Sequence, residues 1–237
     1  MKSYKLLLLC LLLVQSFLLS SQVKTYHHSD GGIVSPLVLS FVDFTSNPND
    51  VSNKPRFSFF FHLAEYYDID VNNFFGFYSG LTLLNIGFIA KNENLDIEKR
   101  FRSYALGLPV AFKIGSFRES FYFYGGGEYQ WLFHYKEKTY INDDKIKRSE
   151  WFSRKTPFFI PSVFAGIHFP KDWTVSFHYQ LKEFLNTAYF NPADNYNAQF
   201  GIPTGHIFWI SLAKSNIEKL FKPQTETRNV VFTHYCK

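Results

Sequence analysis

The 237 residues carry 20% aromatic side chains, 29 of them Phe and 15 Tyr, against only 19% charged residues. So apolar a composition excludes intrinsic disorder. The formal charge of +5 overstates the basic character, because setting aside a leader that holds Lys2 and Lys5 leaves 23 basic residues against 20 acidic ones, and this gives no footing for nucleic-acid binding.

Met1–Ser21 reads as a cleaved signal peptide. Lys2 and Lys5 form its basic start, Leu6–Leu19 its apolar core and Ser20–Ser21 the small residues before a mature start at Gln22. The apolar core is shorter than the ~20 residues of a spanning helix. Of the two cysteines, Cys10 falls in the leader. Cys236 then stands alone, which rules out an internal disulfide and a cysteine-based zinc site.

Beyond the leader, eight segments read as strands: Ile33–Phe44, Arg56–Tyr67, Phe74–Ala90, Phe101–Gly115, Ser120–Lys136, Pro157–Phe169, Trp173–Lys182 and His206–Lys214. The fourth and fifth make the case. Tyr104, Leu106, Leu108, Val110, Phe112 and Ile114 alternate with Ser103, Ala105, Gly107, Pro109, Ala111 and Lys113. Alternation of period two puts successive side chains on opposite faces of a strand. Runs longer than ten residues exceed the soluble average of about five or six and match the roughly 9–11 of a transmembrane strand. The seventh is the cleanest, with Trp173, Val175, Phe177, Tyr179 and Leu181 opposite Thr174, Ser176, His178, Gln180 and Lys182. The third loses its alternation around Leu83–Asn85, as a bulge would cause, and the first is weak because Val38 and Val42 fall on its polar face.

The connections alternate long and short: Thr45–Pro55, Asp68–Asn73, Lys91–Arg100, Ser116–Glu119, Glu137–Thr156, Pro170–Asp172 and Glu183–Gly205. Outer-membrane barrels have short periplasmic turns and longer outer loops. The expectation is an all-β fold: an antiparallel up-and-down transmembrane β-barrel of eight strands over residues 22–214, followed by a periplasmic tail over 215–237. A rival register makes residues 228–236 the last strand and leaves Ile33–Phe44 outside.

SYALGLPVAFKIG and FYFYGGGEYQWLF, with GFYSGLTLLNIGF before them and FAGIHFPKDWTVSFHYQL after, resemble the PorT-like outer-membrane β-barrel family of Gram-negative bacteria. The resemblance runs from about Arg56 to Leu185. It implies an outer-membrane barrel without a cofactor and names no reaction.

Chemistry would lie on the polar face: Arg56, His62, Lys113, Glu128, Gln130, His134, His178, Gln180 and Lys182. An eight-stranded barrel is just wide enough for its own side chains, so these residues are expected to form a packed polar lumen in which Glu128 finds Lys113, Arg56 or Lys182. No HExxH and no cysteine cluster marks a metal, no GxSxG marks a lipid-modifying enzyme, and Gly125–Gly127 lacks the GK[ST] of a phosphate loop. His27 and His28 fall in an N-terminal segment expected to be loose. Tyr189, Phe190, Tyr196 and Phe200 are expected to fold onto the barrel mouth. The function expected is a structural or surface-interaction barrel of the cell envelope, partnered by outer-membrane lipid, the barrel-assembly machinery and an envelope protein. The alternatives are a secreted lipocalin-like barrel and a rim-site enzyme.

Overall fold

The computed structural model describes residues 23–30, 37–46, 51–58, 62–141, 144–190 and 200–218. The proposed leader Met1–Ser21, the rival strand at 228–236 and Tyr196 lie outside them. Among the described residues the regular structure is β, apart from a 3-10 turn at Thr187–Tyr189 and helical backbone at Phe200. In chain order the strands are β1 (Lys24–Asp30), β2 (Leu37–Ser46), β3 (Val51–Lys54), β4 (Arg56–Ser58), β5 (Leu63–Asp70), β6 (Phe75–Asn92), β7 (Ile97–Ser116), β8 (Phe121–Ile141), β9 (Asp144–Trp151), β10 (Phe159–Phe169), β11 (Trp173–Gln180) and β12 (Thr204–Glu218).

Every pairing is antiparallel. β1, β5, β6, β7, β8, β10, β11 and β12 neighbour one another in that order, and β12 closes the ring onto β1. The other four prolong these staves at one end: β2 lies between β12 and β4, β3 pairs β6, and β9 pairs β8. The eight expected staves are all present. The first is assembled from β1 and β2, so residues 37–44 of the expected first strand belong to the ring. Residues 71–74, 117–120 and 170–172 make tight turns at one end. In the first, Asn72 Oδ1 accepts from the backbone N–H of Phe74 and Phe75 at 2.8 and 2.7 Å, so the side chain itself closes the chain reversal.

The strands outgrow the expected segments at the opposite end. β6 runs to Asn92, β7 starts at Ile97, and β8 continues to Ile141 before folding back as β9. Much of what reads as long loop is therefore sheet. Charged and polar residues alternate there (Lys91, Glu98, Arg100, Lys138, Lys147), which hides a strand from a search for apolar alternation while leaving its backbone ladder intact. Likewise β12 reaches Glu218 and pairs β1 through Ser215–Asp30, so these residues belong to the wall rather than to a tail.

Two faces follow from the pleat. Along β7, Phe101, Ser103, Ala105, Gly107, Pro109, Ala111 and Lys113 turn inward and are shielded, while Leu106, Leu108, Val110, Phe112 and Ile114 turn outward and are exposed. The inward face itself changes character along the barrel. Near the short turns it is polar. Toward the other end it becomes an apolar core of Val42, Leu84, Ile86, Phe88, Phe101, Leu132, Ile160, Ile207 and Trp209. That change explains two expectations that fail. β6 has no bulge at Leu83–Asn85, because its register with β7 is continuous from Phe75 to Asn92; its inner residues simply pass from Thr82 to Leu84 and Ile86. Val42 faces inward legitimately, since the lumen at its level is apolar.

Candidate functional site

The lumen is the place where polar groups converge, and the strands stack them in layers. Lowest, beside the short turns, Lys113 of β7 is fully buried with Asp68 and Asp70 of β5, its Nζ 2.5 and 2.7 Å from their carboxylates. The Asp70 contact is an ion pair out of line for a hydrogen bond. Nζ also donates to the Tyr26 hydroxyl at 2.9 Å. His28 of β1 meets the other oxygen of Asp68 through Nδ1, and the His168 ring stacks on Tyr122 at 4.5 Å. Above these lie Tyr66, Tyr78, Tyr124 and Phe164, with ring centroids 4.9–6.4 Å apart. Higher again, Glu128 accepts from Thr82 and from Gln130 Nε2 at 2.6 Å, and Gln180 Nε2 donates to Gln130 Oε1 at 2.9 Å. Gly107 leaves the space that Glu128 occupies, because any Cβ there would collide with its carboxylate and with Thr82.

The nine polar residues singled out by alternation therefore separate. Glu128, Gln130 and Gln180 form one network. Lys113 belongs to the layer beneath and pairs with Asp68 and Asp70, so the expected Glu128–Lys113 pair is not made; Glu128 is held by neutral donors. His178 sits inside between Trp209 and Phe164, at 4.7 and 5.3 Å, with Nε2 2.9 Å from the Ser176 hydroxyl. His62 is buried. Arg56 fills the gap where β4 leaves β6, donating to the backbone oxygen and Oδ1 of Asn85 at 3.1 and 2.9 Å.

Two residues fall outside the lumen. Lys182 lies past the end of β11 and is exposed. His134 is turned to the outer face by a bulge that pairs Tyr104 with His134 but Ala105 with Leu132, and is covered there by Trp151 at 4.1 Å and Tyr104 at 5.6 Å.

Alternation missed Asp68, Asp70, Tyr26 and His28. The first two continue the inward series His62, Ala64, Tyr66 but read in the sequence as turn residues. His28 lies in an N-terminal segment that the sequence reads as loose and that the ring closure makes a strand.

At the far end the segment between β11 and β12 plugs the mouth. Phe184, Leu185, Phe190 and Phe200 are buried in the apolar core, with Lys99 Nζ 4.9 Å above the Phe200 ring, while Tyr189 remains exposed. Within the lumen lies a cavity of about 60 Å³ bordered by Tyr66, Tyr78, Glu128, Phe164 and His178. That is room for a few water molecules, far below the ~300–1,000 Å³ of a small-molecule site. Among the described residues no group of three or more His, Cys, Asp and Glu is placed to hold a metal ion.

The outer wall is the inverse. Leu63 and Ile69 on β5, Leu81 on β6, the five residues of β7, Phe121 and Phe123 on β8, Val163 on β10, Val175 and Phe177 on β11, and Ile210 and Leu212 on β12 are all exposed. Aromatic rings edge this belt at both ends. Tyr104, Trp131, Phe133, Trp151, Phe152 and Phe158 form one rim, with Trp131–Phe152 and Phe133–Trp151 both 6.0 Å apart. Phe121 and Phe169 meet at 5.9 Å on the other rim, beside Trp173.

No protein-family model matches the chain, and no curated protein does. Among solved structures the chain is similar to Ail, the attachment invasion locus protein of Yersinia pestis, at 14% identity over 81% of this chain and 98% of that one, with a TM-score of 0.35. It is similar to Neisserial surface protein A at 8% identity over 82% and 96%, TM-score 0.37. The outer membrane protein OprG from Pseudomonas aeruginosa is similar at 9% over 81% and 92%, TM-score 0.34.

Proposed function

We propose that the chain is an integral outer-membrane β-barrel of a Gram-negative bacterium, PorT-like in family, with a filled lumen and a structural or surface-interaction role rather than a catalytic one. The observation that carries this reading is the apolar belt that runs over β5 to β8 and β10 to β12 of a closed barrel whose lumen holds buried charges. A soluble monomer rarely exposes a contiguous apolar patch above a few hundred Å², and here large apolar side chains line the outer face of seven consecutive staves, from β5 round to β12. From Tyr104 to Ile114 the strand covers ~34 Å at ~3.4 Å per residue, or about 24 Å of height at a ~45° tilt, close to the ~25 Å band of outer-membrane barrels. The aromatic rims fall where membrane–water interfaces favour such rings.

In this orientation both ends of the described chain and the short turns face the periplasm, and the β6–β9 extension and the plug face outward. The leader Met1–Ser21 directs export, the barrel-assembly machinery inserts the folded wall, and lipid solvates the belt. A lipocalin-like role is disfavoured by the small cavity and by an exterior of Leu, Val and Phe where a soluble barrel needs charge.

Expression in a Gram-negative host tests the reading. The protein is expected in the outer-membrane fraction, resistant to alkaline carbonate and heat-modifiable on gels. Release by carbonate as a soluble folded species would replace it with the secreted-barrel alternative.

A further inference from the structure

Where β7, β8 and β9 rise past the aromatic rim, their outer face is almost entirely basic. The register puts Arg102 opposite Lys136, Arg100 opposite Lys138 opposite Lys147, and Tyr140 opposite Lys145. Six cations thus share one face with one carboxylate, Glu98, whose Oε1 pairs with Arg100 Nε at 2.6 Å. Like charges directly across a sheet destabilise it, and Arg100, Lys138 and Lys147 put three in a single row.

The inner face of the same sheet is composed differently. Glu137 and Glu150 there meet Lys155 at 3.8 and 3.3 Å. Ordinary surface composition does not account for that contrast between two faces of one hairpin.

The aromatic rings hold the cations against the wall. Lys136 lies over Tyr104 at 5.2 Å, and Arg100 and Lys145 lie over Tyr140 at 4.7 and 5.2 Å. Arg102 Nε is shielded and finds no acceptor among the described residues. Burial, then Arg102, Lys145 and Lys147, push the Lys138 ammonium below its ordinary range. The array is poised for an anion beyond the single carboxylate that the described residues supply on this face.

We propose that this face binds the phosphorylated headgroup of an anionic glycolipid in the outer leaflet. The inference rests on the outer-membrane reading above. Its height selects the lipid over a soluble anion. With strands tilted at ~45°, the Arg102–Lys136 row stands about 5 Å above Tyr104 and the Arg100–Lys138–Lys147 row about 10 Å. The polar layer of a bilayer adds ~5–8 Å on each side of its hydrocarbon. The lower row therefore stands level with neighbouring headgroups and the upper row just beyond them, within reach of its long side chains, directly above a belt that accepts the acyl chains of the same lipid. Arginine and lysine together suit phosphate, one as a fork and the other as a point charge.

The test uses the full chain, purified from membranes and placed in phosphatidylcholine nanodiscs, with bis-phosphorylated lipid A as the probe, titrated by native mass spectrometry. The triple variant Arg100→Gln, Lys138→Gln, Lys147→Gln should bind lipid A on the order of 100-fold more weakly. In phosphatidylcholine alone it should be at least as resistant to urea as the wild type, because the row of like charges is gone. Equal lipid A binding by both proteins overturns the proposal. So does undiminished binding of dephosphorylated lipid A, which would mean acyl-chain contact only. Inorganic pyrophosphate is expected to bind neither protein measurably, and tight pyrophosphate binding would make this a soluble-anion site instead. If the triple variant fails to fold, Arg102→Gln with Lys136→Gln asks the same question one row lower. Heat-modifiability of each variant separates a failed lipid site from a failed barrel.

Discussion

Lys113 is the residue on which the lower lumen depends. A lysine ammonium shut away from water is tolerable only with its charge matched and its protons used, and here Asp68, Asp70 and the Tyr26 hydroxyl do both. His28 then takes the remaining oxygen of Asp68, tying β1 to β5 and to β7 through one cluster. Removing one member of such a set leaves the others buried without compensation, at a cost of about 3–5 kcal/mol. Lys113→Met should therefore lower stability by about that amount in urea unfolding followed by tryptophan fluorescence in phosphatidylcholine vesicles. Adding Asp70→Asn should restore part of the loss, because one fewer carboxylate is stranded. A double variant as damaged as the single one would mean that the two side chains are not coupled.

At the level of the strand, register decides everything, because a one-residue slip turns every side chain to the other face. β11 offers the cleanest check. Phe177 faces out, with Cα partners Ala165 and Ile210, and its neighbour His178 faces in, against Trp209 and Phe164. Phe177 stands four residues above the Trp173 rim, near the middle of the belt, where a cation facing lipid costs roughly 2–4 kcal/mol. His178→Gln keeps a polar group inside and gives up two ring contacts of about 0.5–1.5 kcal/mol each. Phe177→Arg should thus be the more damaging in vesicle unfolding, and Phe177→Leu close to neutral. If Phe177→Arg and His178→Gln cost the same, the facing of β11 is wrong.

The period of two was readable in β7 and β11 because one face was uniformly apolar and the other small or polar. It failed where the chemistry changed along a strand: at Thr82–Leu84 the inner face turns apolar, at His134 a bulge reverses the faces, and at Lys138 and Lys147 the strand continues in charged residues. The Lys113 cluster was half legible. Its cation lies on a clear strand, but Asp68 and Asp70 resemble turn residues, and Tyr26 and His28 lie on β1, a short polar strand that alternation of apolar residues does not mark.

Across the whole molecule, the lumen is closed three times over. The Lys113 cluster blocks the end with the short turns, the Thr82–Glu128–Gln130–Gln180 network crosses the middle, and Phe184, Leu185, Phe190 and Phe200 fill the opposite mouth. The seals differ in kind. The first two are polar networks spanning several staves, so they move only if the wall moves. The third is a connecting segment packed by its apolar side chains, and such segments open at lower cost than strands. Between the lower two lies the cavity of about 60 Å³, which has room for a few water molecules and is too small to make a path. A hydrated ion would have to displace buried, hydrogen-bonded side chains at two levels even if the mouth were open.

Planar-bilayer recordings of the wild-type protein should accordingly show no large, steady pore. The same should hold for Phe190→Ser with Phe200→Ser, a pair that loosens the plug and leaves both networks untouched. That variant should instead become more sensitive to proteases added from outside, at the segment between β11 and β12. A porin-like conductance in the wild type would remove the filled lumen altogether. A reproducible conductance only in the double variant would show that the aromatic plug is the sole barrier and that the polar layers beneath it admit ions.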